Sequence, residues 1–187
     1  MMGRYEEGYT EVTRAIRLDP HSIMNQTLGF LLIFARRYDQ AKEQFEKALE
    51  LDPNFAQAYW GLGAADLYKS LPQPAIAAIQ KAVQLSEGAS LFLTTLGEAY
   101  AAGEDWDEAQ KILERLQELS KERYVSPYGV ARIYAALGEK DDALHSLETA
   151  YQERAAHTIC LKTDPRLDSL RSEPRFQDLL RRMNFPP

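Results

Sequence analysis

The sequence predicts an all-α chain of stacked helical hairpins, and two observations carry that prediction. The first is a period. Small residues fall at Gly29, Gly63, Gly97 and Ala131, each 34 residues after the one before. Alanines fall at Ala41, Ala75, Ala109 and Ala143 with the same spacing, followed four residues later by Phe45, Ile79, Leu113 and Leu147. Leu28, Leu62, Leu96 and Val130 hold a further register, as do Ala48, Ala82, Leu116 and Ala150. A repeat of this length is the signature of a solenoid. The second observation is the pattern inside each period. Apolar residues recur three and four apart in two runs, which is the stripe of an amphipathic helix. Small residues on both runs let two helix backbones cross closely, while the larger neighbours fill the grooves beside them. One such hairpin cannot bury its apolar face alone, so the copies must stack.

The elements follow in order. Residues 3–21 match only the second half of a repeat: Tyr5, Gly8, Val12, Ala15 and Pro20 parallel Tyr38, Ala41, Phe45, Ala48 and Pro53, each 33 apart. Full repeats are expected at 22–55, 56–89, 90–123 and 124–157, making an array over 1–157. The predicted helices are 4–18, 22–35, 39–51, 55–69, 73–86, 89–103, 106–121, 127–137 and 140–154. Asp19-Pro20, Asp52-Pro53 and Gly103 supply stop signals, and Gly138 marks the turn between the last two of these helices. Residues 158–187 leave the repeat. There, Asp164-Pro165 reads as an N-cap with proline at the first helical position, and Ser172-Glu173-Pro174 reads the same way. A short helix is expected at 165–171 and a longer one at 173–183. Their apolar face, with Leu167, Leu170, Phe176, Leu179, Leu180 and Met183, should cap the open end of the last repeat.

These registers resemble the tetratricopeptide repeat (TPR), whose 34-residue pattern is W-x2-L-G-x2-Y…A-x3-F…P. Leu28-Gly29, Leu62-Gly63, Leu96-Gly97-x2-Tyr100, Ala41-x3-Phe45 and Ala48-x4-Pro53 carry the likeness, over about residues 3–157. Asp66 departs from it by taking an aromatic position, and Pro72 and Pro74 replace the aromatic start of a second helix. The resemblance implies a right-handed α-α superhelix, a TPR solenoid with C-terminal capping helices. The stretch from Asp164 to Met183 is similar to the C-terminal end of bacterial multidomain signalling proteins with TPR arrays. That likeness implies a bacterial signalling context and a truncated relative or fragment.

The resemblance also implies a concave groove lined by the first helix of each repeat. The positions carried over are Gln26, Phe30 and Phe34 with Ile23, then Trp60, Ala64 and Tyr68, then Glu98, then Tyr128 and Arg132. The Lys, Asn and Arg that clamp a C-terminal carboxylate in some members are replaced here by Gln26, Phe30, Trp60 and Ala64, so that mode is not expected. Apolar anchors facing Phe30, Trp60 and Tyr68 are expected instead. Aromatics at helical spacing are as a rule core, so some of these positions should pack between repeats.

Composition narrows the rest. The net charge is −6 and the pI about 5.2, a balance that repels a phosphate backbone, so nucleic acid is not an expected partner. The one cysteine, Cys160, forms no internal disulfide; it lies in an apolar stretch and reads as a buried structural thiol. His21, His145 and His157 are scattered, with no metal-ligand spacing. Gly61-Leu62-Gly63 lacks the third glycine and the strand of a dinucleotide loop. Glu104, Asp105, Asp107 and Glu108 read as a solvated helix start. The longest apolar run, Leu28 to Ala35, is too short to span a bilayer, and the N-terminus has no signal-peptide core.

The expectation is therefore a soluble, cytoplasmic protein-binding module with no enzyme activity, no catalytic residues, no cofactor, no metal and no membrane partner. Its partner is a protein or peptide. The alternative is a regulatory segment derived from a larger signalling protein (a transcription regulator, kinase or cyclase) that self-associates through the incomplete N-terminal repeat, where Tyr5, Tyr9, Val12 and Ile16 would be partly uncovered.

Overall fold

The computed structural model describes residues 2–19 and 24–184, with side chains from Glu7 onward. Pro20, His21, Ile23 and the side chain of Tyr5 lie outside the described residues. The described residues are helical and contain no strand. Among them ten α-helices follow in order: α1 (Met2–Leu18), α2 (Met24–Phe34), α3 (Tyr38–Leu51), α4 (Ala56–Tyr68), α5 (Pro72–Leu85), α6 (Ser90–Ala102), α7 (Trp106–Leu119), α8 (Pro127–Leu137), α9 (Lys140–Gln152) and α10 (Pro174–Arg182). The ends expected from the sequence lie within two residues of these. Two differences occur near the C-terminus. The short helix after Asp164 is a 3-10 turn, Pro165–Leu170, and a further 3-10 turn, Ala156–Cys160, had no sequence signal.

The chain divides into two compact units, Met1–Phe92 and Leu93–Pro187. In the first, α2 and α3 pack as one hairpin and α4 and α5 as the next. Leu28, Leu32, Ala41, Phe45, Ala48, Ala58 and Ala65 form the buried core, with Tyr9, Val12 and Ile16 of α1 half-buried against it. The small residues act as their spacing predicts. A Cβ on Gly29 would lie 2.7 Å from the Phe45 ring, one on Gly61 would strike the same ring, and one on Gly63 would strike Ile79. Large side chains of the second helices therefore fill space that glycines on the first helices leave open.

In the second unit, α8 and α9 form a hairpin, and the C-terminal segment closes over it. Leu167, Leu170, Phe176 and Leu179 are all at most 1% exposed and join Leu144, Leu147 and Ala150 in one core. Arg175 bridges to Glu148 at 3.2 Å, and Lys140 to Glu173 at 2.8 Å, at the margin of this contact. Gly97 repeats the close approach seen in the first unit: a Cβ there would lie 2.7 Å from Ile133.

The turn inside each hairpin repeats as well. Arg36, Ser70, Glu104 and Gly138 have φ of 59°, 57°, 61° and 82°, all left-handed. The amide after each donates to the carbonyl five residues back: Arg37 to Leu32, Leu71 to Asp66, Asp105 to Tyr100 and Glu139 to Tyr134, all at 2.9 Å. This is the six-to-one bond of a Schellman cap. Of the glycines read as turn signals, Gly138 takes the left-handed residue; at the third turn it is Glu104, not Gly103.

Candidate functional site

The groove positions expected from the sequence fall into two different environments. In the first unit they form an apolar surface. Phe34, on the last turn of α2, is 72% exposed. Phe30 and Trp60 are half-buried and meet at 5.1 Å between ring centroids. Phe30 reaches inward to Phe45 at 5.0 Å, edge to face, and Trp60 reaches Phe92 at 5.6 Å. Tyr68 stacks on Tyr38 at 5.4 Å and is half-buried, as is Gln26. Ala64 is buried at 8% exposure, so it serves as floor and not as a contact point. Edge-to-face and offset ring pairs of this kind hold each other rigid. The one charge among these helix faces, Asp66, is 3% exposed and paired with Lys42 of α3 at 2.5 Å. The surface it leaves is aromatic and uncharged.

In the second unit the expected groove residues are covered. Glu98, Tyr128 and Arg132 are 5%, 2% and 7% exposed. What covers them is the start of the second 3-10 turn. Asp164 caps that turn, accepting from the Arg166 amide at 3.1 Å, and forms a fork with the Arg166 guanidinium at 2.8 Å on both oxygens. The Tyr128 hydroxyl donates to the second Asp164 oxygen at 2.8 Å. Arg166 and Arg132 both stand 3.5 Å from the Glu98 carboxylate. Glu98 Oε2 and Arg132 Nε make no hydrogen bond, so attraction across 3.5 Å is all that this pair offers. Glu98 and Arg132 are thus brought together, and with Asp164 and Arg166 they form a filled polar cluster and not an open wall. The sequence signal that could have found the cluster was the Asp164-Pro165-Arg166 cap itself; nothing in its pattern says which helix face the cap will cover.

The electrostatics agree with that geometry. Burial alone would raise the Asp164 pKa, but Arg166, Arg132 and the Tyr128 hydroxyl hold its carboxyl below the usual carboxylate value. Burial and the Asp164 charge push the Tyr128 phenol far above its ordinary value. His157 lies against the Tyr128 ring at 6.2 Å; burial and the two guanidiniums push its pKa down. Cys160 is half-buried, and burial with the Asp164 charge pushes its thiol up, away from a reactive thiolate. No group of three or more His, Cys, Asp or Glu side chains among the described residues is placed to hold a metal ion. No helix among them is long and apolar enough to cross a membrane.

Comparison with known proteins agrees with the repeat. Residues 37–67 match a family model described as TPR repeat, and residues 93–120 one described as Tetratricopeptide repeat. Over 138 residues the chain is 27% identical to anaphase-promoting complex subunit 3 of Schizosaccharomyces pombe, matching 73% of this chain and 21% of that protein. The chain thus spans about a fifth of that relative's length. In structure it is similar to TTC0263, a thermophilic TPR protein of Thermus thermophilus, with a TM-score of 0.70 and 20% identity, covering 96% of this chain and 92% of that one. It is also similar to YrrB, described as a TPR protein with an unusual peptide-binding site, with a TM-score of 0.55 and 22% identity, covering 91% of this chain and 89% of that one. The two matched models place TPR-type repeats at residues 37–67 and 93–120, and the likenesses in structure agree with the fold of a TPR solenoid.

Proposed function

We propose that the chain is a protein-interaction module and that its first unit binds a partner segment on the face bearing Phe34, Phe30, Trp60 and Tyr68. The observation that carries this reading is the aromatic run Phe45–Phe30–Trp60–Phe92, at centroid separations of 5.0, 5.1 and 5.6 Å, which leaves two half-exposed rings beside the exposed Phe34. Rigid aromatics of this kind supply contact area at little entropic cost, and they dominate interface energies. The face is uncharged, so the partner's anchors are apolar and its affinity changes little with salt. That TPR proteins generally mediate protein–protein contacts, and that YrrB is described with a peptide-binding site, supports the reading. The covered residues of the second unit, Glu98, Tyr128 and Arg132, take no part in it while the C-terminal segment is docked.

The test is selection of displayed peptides on the folded chain, followed by affinity measurement on the native protein and on Phe34→Ala/Trp60→Ala. A loss of about thirtyfold or more, as for removal of a central aromatic anchor, with an unchanged circular dichroism spectrum, is the expected result. Equal affinity for both proteins would reject the assignment.

Self-association is the second reading, and the observation favouring it is on α1. Leu18 is 81% exposed, and Tyr9, Val12 and Ile16 are only half-buried. A sedimentation coefficient that stays at the monomer value up to high concentration would reject it.

A further inference from the structure

A separate cleft of about 510 Å³ lies in the second unit between α7, α8 and α9. It shares no residue with the buried Glu98–Arg132 cluster. Its floor is apolar: Leu113 and Leu116 are buried, while Val125, Val130 and Tyr134 are half-buried and turn part of their surface to the opening. Its rim is acidic. Glu114, Asp142 and Glu153 line it, all three exposed, and neither Lys nor Arg does.

Some carboxylates of these helices are neutralised by a neighbouring cation. Glu108 and Glu118 on α7 hold Lys111 and Lys121, and Glu148 on α9 holds Arg175. Glu114, Asp142 and Glu153 have no cation among the described residues. Of the three, Asp142 acts on the floor: burial first, then the charges of Asp142 and of nearby Glu139, push the Tyr134 phenol above its ordinary value. His145 shares the opening with uncharged Gln, Ser and Thr side chains.

An apolar floor inside an unneutralised acidic rim selects a ligand of the complementary pattern. We propose that this cleft docks a partner-protein segment in which one apolar side chain is flanked by Lys or Arg. The apolar side chain enters between Leu113, Val130 and Tyr134, and the flanking cations meet Glu114, Asp142 and Glu153. This surface is distinct from the aromatic face of the first unit, so either can bind if the other does not. Its binding is salt-sensitive where the other's is not.

The probe is a capped synthetic peptide, Gly-Lys-Lys-Trp-Lys-Lys-Gly, titrated into the ¹⁵N-labelled chain. Two controls accompany it: the same peptide with Ala for Trp, and with Glu for every Lys. Saturable shifts centred on the amides of Val125, Val130 and Tyr134, produced by the Lys/Trp peptide and by neither control, are expected. Glu114→Gln/Asp142→Asn/Glu153→Gln should weaken binding about tenfold, from three exposed charge contacts. Glu104→Gln/Asp107→Asn/Glu122→Gln, with the same change in net charge, should leave it within about twofold. The proposal is overturned by no binding at millimolar peptide, by equal binding of the Ala peptide, by shifts centred elsewhere, or by equal losses in the two variants. Shifts at these amides on concentrating the chain without peptide would assign the cleft to a second copy and overturn it likewise.

Discussion

The Tyr128 hydroxyl and the Asp164 carboxylate meet at 2.8 Å, and neither residue is more than 4% exposed. Tyr128 stands on the first turn of α8. Asp164 comes from the C-terminal segment. Through this bond and the Arg166 fork, the segment covers Tyr128 and its neighbours Glu98 and Arg132. The C-terminal segment is thus held by polar bonds to α8 and by the burial of Phe176 and Leu179 in the core of the second unit.

The bond makes the second unit sensitive to pH at both ends. The Asp164 pKa is depressed in the folded protein, so its contribution is present above the unfolded carboxylate pKa of about 3.9 and is lost as pH falls through the folded value. The Tyr128 pKa is raised, so its contribution is present below the unfolded phenol pKa of about 10 and is lost as pH rises beyond it. Tyr128→Phe should cost about 1–3 kcal/mol at pH 7, the worth of a hydrogen bond to a charged acceptor, and should flatten the alkaline limb. Tyr134 keeps part of that limb, since its phenol is raised too. Asp164→Asn should flatten the acid limb instead. Urea midpoints at neutral, acid and alkaline pH decide it, and parallel pH profiles for the native protein and both variants would be incompatible with this account.

The fold was legible because its determinants are local and repeated. Gly29 and Phe45, or Gly63 and Ile79, announce a helix crossing by size alone, and four copies of the signal fix the hairpins. Helix ends were legible to within a turn because the caps repeat also. The site was legible only in part. Phe34 and Trp60 could be placed on one face by register, but whether Tyr128 or Arg132 would be open depended on where residues 164–166 come to rest. That is a tertiary contact over 36 positions, between Tyr128 and Asp164, with no periodic signal. Gly103 reads as a stop signal by residue type alone; the left-handed residue of that turn is its neighbour Glu104, in register with Arg36, Ser70 and Gly138.

Gly61 and Phe45 test the packing. A methyl on Gly61 would collide with the Phe45 ring, which is fully buried and edge-on to Phe30. Gly61→Ala should therefore destabilise the first unit by about 1–3 kcal/mol, the usual result of overpacking, despite the better helix propensity of alanine. Phe45→Leu should cost stability alone yet lessen the penalty of Gly61→Ala in the double variant. Strict additivity in a thermal or urea double-mutant cycle would mean that the ring is not what the methyl meets.

The four left-handed turn residues test the backbone. Gly138 at φ 82° would strain any side-chained replacement, although a Cβ there meets nothing within 4 Å. Gly138→Ala should cost about 1 kcal/mol, with the loss arising from conformation and not from a clash. Glu104 already bears that strain at φ 61°. Glu104→Gly should be neutral or stabilising by up to about 1 kcal/mol. A destabilisation of similar size in both variants would show that side-chain contacts, and not φ, set the preference at these turns.

Lys42 and Asp66 test the charge inside the first hairpin pair. Asp66 occupies a position where the repeat pattern carries an aromatic residue, as Tyr100 does one repeat later, and it is buried. Its cation, Lys42, is about a quarter exposed, so water reaches one partner and not the other. Lys42→Met leaves the carboxylate buried without a cation and should cost about 1–3 kcal/mol, less than for a fully buried pair because the lysine end is solvated. Replacing both, Lys42→Met/Asp66→Leu, removes the desolvation cost together with the attraction. The double variant should be at least as stable as the native chain, in line with the replacement of buried ion pairs by apolar residues of similar volume. Urea unfolding of the three proteins is the measurement. A double variant weaker than Lys42→Met alone would mean that the pair specifies the packing of α3 on α4 in a way that apolar contact cannot reproduce.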